Sequence, residues 1–317
     1  MTLKNENAIF RNQRSSGILL PLNALPGKFG IGSIGISARK FVDYLVQAGQ
    51  KYWQICPLGH IGEENSPYNC YSAFAGNPFL IDLEELKNIG LLDIDNIDNS
   101  VLKLGSSIYK NYKKNFINYE EIKPFYLDML DKAFKRFMLG YSSPLNLKNL
   151  NLNREFTLFK KDQHYWLKDY AFFMALKDHF KNDNWAIWPE DIKYRKPPAL
   201  QYYKRLLKWK IEFYFFIQFI FFKQWHDLLN YAHKRGVFII GDVPIYISYR
   251  SADVWAHPQQ FLLDKYLHPS YVAGVPADYF SKTGQYWGNP LYNWKFMEKT
   301  NFKWWISVFM HLTSCFD

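Results

Sequence analysis

The chain divides into short apolar runs and longer helical stripes. Residues 17–22 form an apolar run, followed by a Gly- and Pro-rich loop and a helical pattern over 37–48 that Gly49 ends. A second apolar run covers 52–58, and strand, helix, strand at this spacing reads as a parallel βαβ unit. After a turn-rich loop at 59–78, residues 80–141 read as polar and helical, and 141–155, rich in Asn and Ser, read as a linker. Helical periodicity resumes at 162–180, breaks at Pro189, Pro197 and Pro198, and continues in one long helix over 200–234. Phe215, Phe219, Phe222, Trp225, Leu229 and Ala232 mark a stripe of that helix at steps of three and four. Its other faces are also largely apolar, which predicts deep packing. Gly236 ends it, residues 237–247 (VFIIGDVPIYI) carry the strongest strand signal, and 302–316 read as an amphipathic helix.

Parallel strands separated by helices put the sequence in the α/β class. An incomplete TIM (β/α)8 barrel with helical insertions is the expected architecture, because long insertions between early strands are tolerated there. On this reading residues 1–317 are the N-terminal portion of the barrel, about 80–200 are a helical insertion subdomain, and the C-terminal barrel strands are missing. Three or four strands cannot close a barrel, so exposed strand edges are expected.

Composition narrows the functional classes. Among 317 residues 48% are hydrophobic and 21% charged, a globular balance, while the 19% aromatic share points to surfaces that hold flat ligands. The net charge of +10 raises nucleic acid as a partner, but the lysines are scattered and no nucleic-acid partner is expected. Cys56, Cys70 and Cys315 are odd in number and lack metal spacing, so a reducing, cytoplasmic setting and no metal are expected. The first 14 residues have no apolar signal core, and the most lipid-like stretch, 211–222, is too short to span a bilayer. No membrane partner is expected.

Several motifs bear on the chemistry. Gly30, Gly32 and Gly35 match G-x-G-x-x-G, but seven residues with Pro26 inside separate the preceding run from the first glycine, and Leu58-Gly59-His60 stands where a ribose-binding acid belongs. Glycines that let a tight loop enter a helix are the better reading. His226 and His233 lie seven apart on the long helix with no carboxylate at metal spacing, and no GxSxG element is present. Asp242 interrupts an apolar strand toward its C-terminal side, where such a carboxylate must be paired or ligand-facing. Residues 274–293 read as a long loop carrying Asp278, Tyr279, Phe280, Gln285, Tyr286, Trp287 and Asn289. Aromatic faces beside amides and carboxylates suit a sugar, which has apolar C–H faces and a hydroxyl rim.

Three blocks together resemble the 4-α-glucanotransferase family, also called amylomaltase or disproportionating enzyme. They are SGILLPLNALPGKFGIGSIG (16–35), WQICPLG with SPYNCYSAFAGNPFLIDLEEL (53–59 and 66–86), and GDVPIYISYRSADVWAHP through VAGVPADYFSKTGQYWGNPLYNW (241–294). The resemblance implies an α-amylase-type barrel that cuts an α-1,4-glucan and passes the segment to another sugar with retention, through a carboxylate nucleophile and an acid/base, without cofactor. Its implied partners are α-1,4-glucans, maltooligosaccharides and glucose. By position, Ser66 and Tyr68 resemble acceptor-side residues and Asp242 a sugar-contacting carboxylate. Asp278, Tyr279 and Phe280 fall on a loop covering the cleft, and Gln285 and Trp287 resemble groups contacting glucose units.

The family's nucleophile lies in an RIDHFRG block right after a segment resembling residues 304–317, and its acid/base comes later. Neither block occurs in these 317 residues. The resemblance therefore implies substrate-binding residues and no catalytic residue in this chain, which is expected to be inactive alone; a complementary C-terminal fragment would be its partner. A non-catalytic maltooligosaccharide-binding remnant is the alternative. Asn65 stands where the family has Asp before SPY, Cys56 and His60 depart from the PLG block, and Val308 sits where a basic residue is common.

Overall fold

The computed structural model describes residues 14–93, 116–140 and 147–317, with backbone only at 147–150. Its sheet has three parallel strands, β1 (Gly17–Leu19), β2 (Tyr52–Gln54) and β3 (Phe238–Ile240), in the order β1-β2-β3. Ile18 pairs with Trp53, and Trp53 with Ile239. The strands are shorter than their apolar runs because the last residues of each run leave the ladder and turn toward the loops at the C-terminal ends. Helix α1 (Ile36–Gln47) makes the first crossover and buries Ala38, Val42 and Leu45. Trp53, fully buried in the middle strand, fixes β2 to β1 by donating its indole N–H to Leu20 O at 2.8 Å.

Between β2 and β3 lie α2 (Leu83–Asn88), α3 (Tyr119–Leu139), α4 (Leu147–Asp162), α5 (His164–Phe180), α6 (Glu190–Lys193), α7 (Pro197–Leu206) and α8 (Lys208–His233). Two helices correct the sequence reading. The Asn-rich stretch expected as a linker is helical from residue 147, because Leu152 and Phe156 find buried places, the latter against Phe137 and Phe219. The long helix is two helices meeting at Leu207, whose φ/ψ of −101°/15° falls outside helical values, and Pro197 starts the first of them rather than breaking it. Proline suits a first helical position because its missing N–H has no acceptor there anyway. Parts of the expected 80–141 helical region and of the 141–155 linker lie outside the described residues.

α8 is buried over most of its circumference, as its sequence predicts. Phe213, Phe216, Ile217, Phe219–Phe222, Trp225 and Leu228 are buried, whereas Phe215 and Leu229 of the expected stripe are only partly covered. Among the described residues no helix is long and apolar enough to cross a membrane.

After β3 come α9 (Ala252–Ala256), an antiparallel hairpin of β4 (Val272–Val275) and β5 (Gln285–Pro290), α10 (Trp294–Lys299) and α11 (Lys303–Cys315). The hairpin corrects the expectation of a long loop at 274–293. Its Gly and Asn content reads as loop, but the glycines are what let the two backbones meet: a Cβ on Gly274 would collide with Gln285 O.

The G-x-G-x-x-G glycines are consumed by packing. A Cβ on Gly32 would strike the carbonyls of Leu22 and Leu25, and one on Gly35, at the start of α1, would strike the Asp82 carboxylate. Asp82 also accepts from Ser33 Oγ at 2.7 Å and caps α2 through Glu85 N at 2.8 Å. The N-terminus of α1 thus already faces a carboxylate.

Candidate functional site: a cleft at the C-terminal ends of the strands

Two loops leaving β2 and β3 build the site. The first, after β2, doubles back on itself through bridges Gly59–Gly76 and Ile61–Cys70. At its tip Asn65 takes a left-handed φ of 59°, and Ser66 closes the following turn by accepting from Tyr68 N on its hydroxyl at 3.3 Å and from Asn69 N on its carbonyl at 3.2 Å. The base of this loop is held by a helix rather than a strand. Gln218 on α8, fully buried, accepts from Gly76 N and donates to Gly76 O, both at 2.8 Å. Gln224 does the same for Asp82, at 2.8 and 3.0 Å. Each side-chain amide thereby acts as a peptide group would in a neighbouring strand and satisfies backbone groups that burial would otherwise strand.

Gln218 Nε2 also reaches Tyr170 Oη at 3.2 Å, and that hydroxyl lies 2.7 Å from His60 Nδ1. The hydroxyl accepts from the amide and has its proton free for the imidazole. Burial, with Lys177 and Lys123 adding repulsion, holds His60 well below the usual histidine pKa, so it stays neutral. His60 is a core residue beneath the loop.

The second loop, after β3, carries Asp242. Tyr68 Oη donates to Asp242 Oδ2 at 2.6 Å across 174 residues of chain. That bond, with burial and the carboxylate's charge, pushes the Tyr68 phenol up to about 12. Burial, and then Asp242, also raise the thiol of Cys56. The hairpin is fastened to this loop by Tyr292 Oη, which donates to Ile245 O at 2.8 Å, and by Trp287, whose ring lies 6.0 Å from that of Tyr246. Trp287 Nε1 donates to Gln285 Oε1 at 3.1 Å.

These pieces surround an open cleft of about 690 Å³ lined by Glu64, Ser66, Tyr68, Asn69, Asp242, residues 243–246, Tyr286, Trp287 and Asn289. Of the residues singled out from sequence, the structure brings Ser66, Tyr68, Asp242, Tyr286, Trp287 and Asn289 into the lining. Gln285 lies one step behind, bound to Trp287. Asp278, Tyr279 and Phe280 sit at the hairpin tip, outside the lining; Asp278 organises the turn by accepting from Phe280 N and Ser281 N at 2.9 and 2.7 Å, and the two rings are 97% and 89% exposed. Sequence reasoning missed Glu64 and Tyr246. Their positions, just before SPY and just after Asp242, are the signal that could have found them. Among the described residues no group of three or more His, Cys, Asp or Glu side chains is placed to hold a metal ion.

The glycoside hydrolase family 77 model, described as 4-alpha-glucanotransferase, matches residues 20–317. The chain belongs to this family. The 4-alpha-glucanotransferase of Clostridium butyricum is 45% identical over 288 residues, covering 90% of this chain and 55% of the relative. That of Aquifex aeolicus is 44% identical over 312 residues, 96% of this chain and 58% of its own length. The amylomaltase of Streptococcus agalactiae, solved in complex with acarbose, superposes with a TM-score of 0.84 at 36% identity, over 96% of this chain and 58% of that one. The chain thus spans a little over half the length of these family 77 relatives. The likeness extends through the α/β core and both cleft loops.

Proposed function

We propose that residues 1–317 form the glucan-binding N-terminal portion of a 4-α-glucanotransferase, with the three-stranded sheet as an arc of a (β/α)8 barrel and about 80–200 as a helical insertion. Ser66, Tyr68, Asp242 and Trp287 contact the sugar, Gln285 orients Trp287, and Asp278, Tyr279 and Phe280 shape an arm beside the cleft. The ligands are α-1,4-glucans, maltooligosaccharides and glucose. The observation that carries this reading is that Tyr68, Asp242 and Trp287, from three distant segments, share one cleft. An exposed indole offers a face to the C–H side of a glucose ring, while Asp242, Ser66 and Asn289 supply groups for its hydroxyls.

Retaining transfer needs two carboxyl groups about 5 Å apart across the scissile bond. We assign neither role within these residues: nucleophile and acid/base belong to the part of the family fold that this chain does not span. The 317-residue chain then binds glucans without transferring them, and a C-terminal fragment of the same family is the partner that would supply the chemistry. Titrating the chain with maltoheptaose while following tryptophan fluorescence tests the binding. A saturable change, lost in Asp242→Ala and in Trp287→Ala, is expected; no change at millimolar sugar overturns the reading. Disproportionation of maltotriose by the purified chain would overturn the placement of the catalytic pair elsewhere.

A further inference from the structure

On the far side of the SPY loop lies a second, polar cavity of about 440 Å³, lined by Glu63, Lys177, Asp178, Lys181, Asn182 and Asp183. α5 supplies Lys177 and Asp178, and the chain leaving that helix supplies the rest except Glu63. Lys181 sits at the helix end in the left-handed conformation, φ 50°.

The carboxylates of this cavity are matched from outside it. Asp178 Oδ2 accepts from Tyr214 Oη at 2.7 Å and pairs with Lys210 at 3.0 Å. Asp183 Oδ1 accepts from Arg250 at 3.0 Å. Glu63 Oε2 lies 3.8 Å from Lys123, and Glu63 Oε1 accepts from Tyr71 Oη at 3.1 Å. The two lysines of the lining are not matched in the same way. Lys177, whose side chain is only 20% exposed, has Glu63 no closer than 3.8 Å, beyond hydrogen-bond reach, and the Tyr71 ring at 5.1 Å. Lys181 has no side-chain hydrogen bond or ion pair among the described residues. Counting the partners, Lys123, Lys177, Lys181, Lys210 and Arg250 stand against Glu63, Asp178 and Asp183, a local excess of two positive charges centred on Lys177 and Lys181. Lys123 reports the same crowding: burial lowers its pKa, and Lys177 lowers it further against the opposing pull of Glu63.

We propose that this cavity binds a sugar phosphate, with Lys177 and Lys181 holding the phosphate and Asp178, Asn182 and Asp183 accepting from sugar hydroxyls. Ammonium groups short of acceptors, Lys177 with only a long ion pair to Glu63 at 3.8 Å and the exposed Lys181 with none among the described residues, favour a dianion over a neutral ligand, because charge-assisted hydrogen bonds are the strong ones. The acidic and amide groups across the cavity are suited to hydroxyl donors and disfavour a second anion, which selects a polyol carrying a single phosphate.

The test is equilibrium dialysis of the 317-residue chain, with saturating maltoheptaose to occupy the cleft of the proposed function, against labelled glucose 6-phosphate, glucose and inorganic phosphate. Glucose 6-phosphate should bind most tightly, and its affinity should fall with added salt. Lys177→Met, which keeps the stem on Tyr71, and Lys181→Asn, which tolerates the left-handed backbone, should each weaken it about tenfold, the loss of one such bond. Lys40→Met, an exposed lysine on α1 that lines neither cavity, should leave it unchanged. Equal binding of glucose and glucose 6-phosphate, equal binding of inorganic phosphate, or retention of full affinity in both lysine variants would each overturn the proposal. Because Lys181 is exposed and its variant leaves the core untouched, a loss of affinity there cannot be ascribed to misfolding.

Discussion

Replacing Gln218 by Leu tests whether a helix side chain really stands in for a strand beneath the cleft. Leucine occupies similar space but removes the acceptor for Gly76 N–H, the donor for Gly76 C=O and the bond to Tyr170. Gly76 is buried, and a Cβ there would enter the Phe221 ring, so this backbone has no room to retreat toward water. Each stranded backbone group costs about 1–3 kcal/mol, or roughly 4 kcal/mol for the pair. The apolar replacement returns about 1 kcal/mol in a fully buried place. The expected loss is about 3 kcal/mol, and at about 2 °C per kcal/mol for a chain of this size the melting temperature should fall by roughly 6 °C. Circular dichroism melts of the parent, Gln218→Leu and Gln224→Leu are the assay, and the second variant should behave like the first because its geometry is the same. An unchanged melting temperature in both would show that the two amides contribute nothing net and that the loop is held by its apolar contacts alone.

Four further outcomes follow from the described geometry. Burial pushes His311 down to about 4, and its Nε2 lies 2.9 Å from Phe74 O; the folded pKa is below the unfolded one, so this contribution is intact above about pH 6.5 and is lost as pH falls toward 4. At pH 5 that amounts to about 2 kcal/mol, and urea midpoints of a His311→Gln variant should vary less between pH 7 and 5 than those of the parent. Asp242→Asn removes a charge that raises the Cys56 thiol, so carboxymethylation of Cys56 at pH 8, mapped by mass spectrometry, should run a few times faster, while Cys70 and Cys315, both buried, stay unmodified. Tyr279→Ser with Phe280→Ser at the hairpin tip should leave the melting temperature within about 1 °C, as expected for exposed side chains remote from special contacts; a large drop would mean that the tip packs against the body. Trp225→Phe should cost about 1–3 kcal/mol, since the fully buried indole donates to Cys315 O at 2.9 Å and the smaller ring leaves both a cavity and an unmet carbonyl; a urea midpoint equal to the parent's would contradict that.

Residues that announce themselves by chemistry were legible in the sequence, and residues that act by contact were not. The parallel βαβ arrangement followed from the spacing of two apolar runs around an amphipathic stretch, and Asp242 stood out because a carboxylate is rare in such a run. Trp287 was visible as one of a cluster of aromatics. What could not be read was that Tyr68 reaches Asp242 across 174 positions, since no local pattern encodes a long-range hydrogen bond. Gln218 and Gln224 read only as polar breaks in an apolar helix, and their partners, 142 residues earlier, left no periodic trace. The hairpin was hidden by its own glycines, which mark loops in most contexts and here allow the close approach of two strands. The helix at 147–162 was missed for a related reason: its polar residues outnumber the two that anchor it.

All three strands of the sheet run the same way, so the chain leaves every one of them at a single rim, and the cleft is assembled wholly from what happens there. The opposite rim, with its turns at Gly49 and Gly236, carries none of the lining. Change in the two faces is therefore decoupled. Residues of the hairpin and of the SPY turn can be exchanged to retune what is held without disturbing Trp53 or the ladder beneath it, and the sheet can drift within apolar limits without altering what is held. For an engineer, the hairpin is the natural unit to graft: it is fastened at its base by the Tyr292 hydroxyl, a few rings and backbone bonds such as Leu262 N–H to Leu291 O at 2.8 Å, and its tip presents side chains to solvent on an antiparallel ladder that carries its own hydrogen bonds.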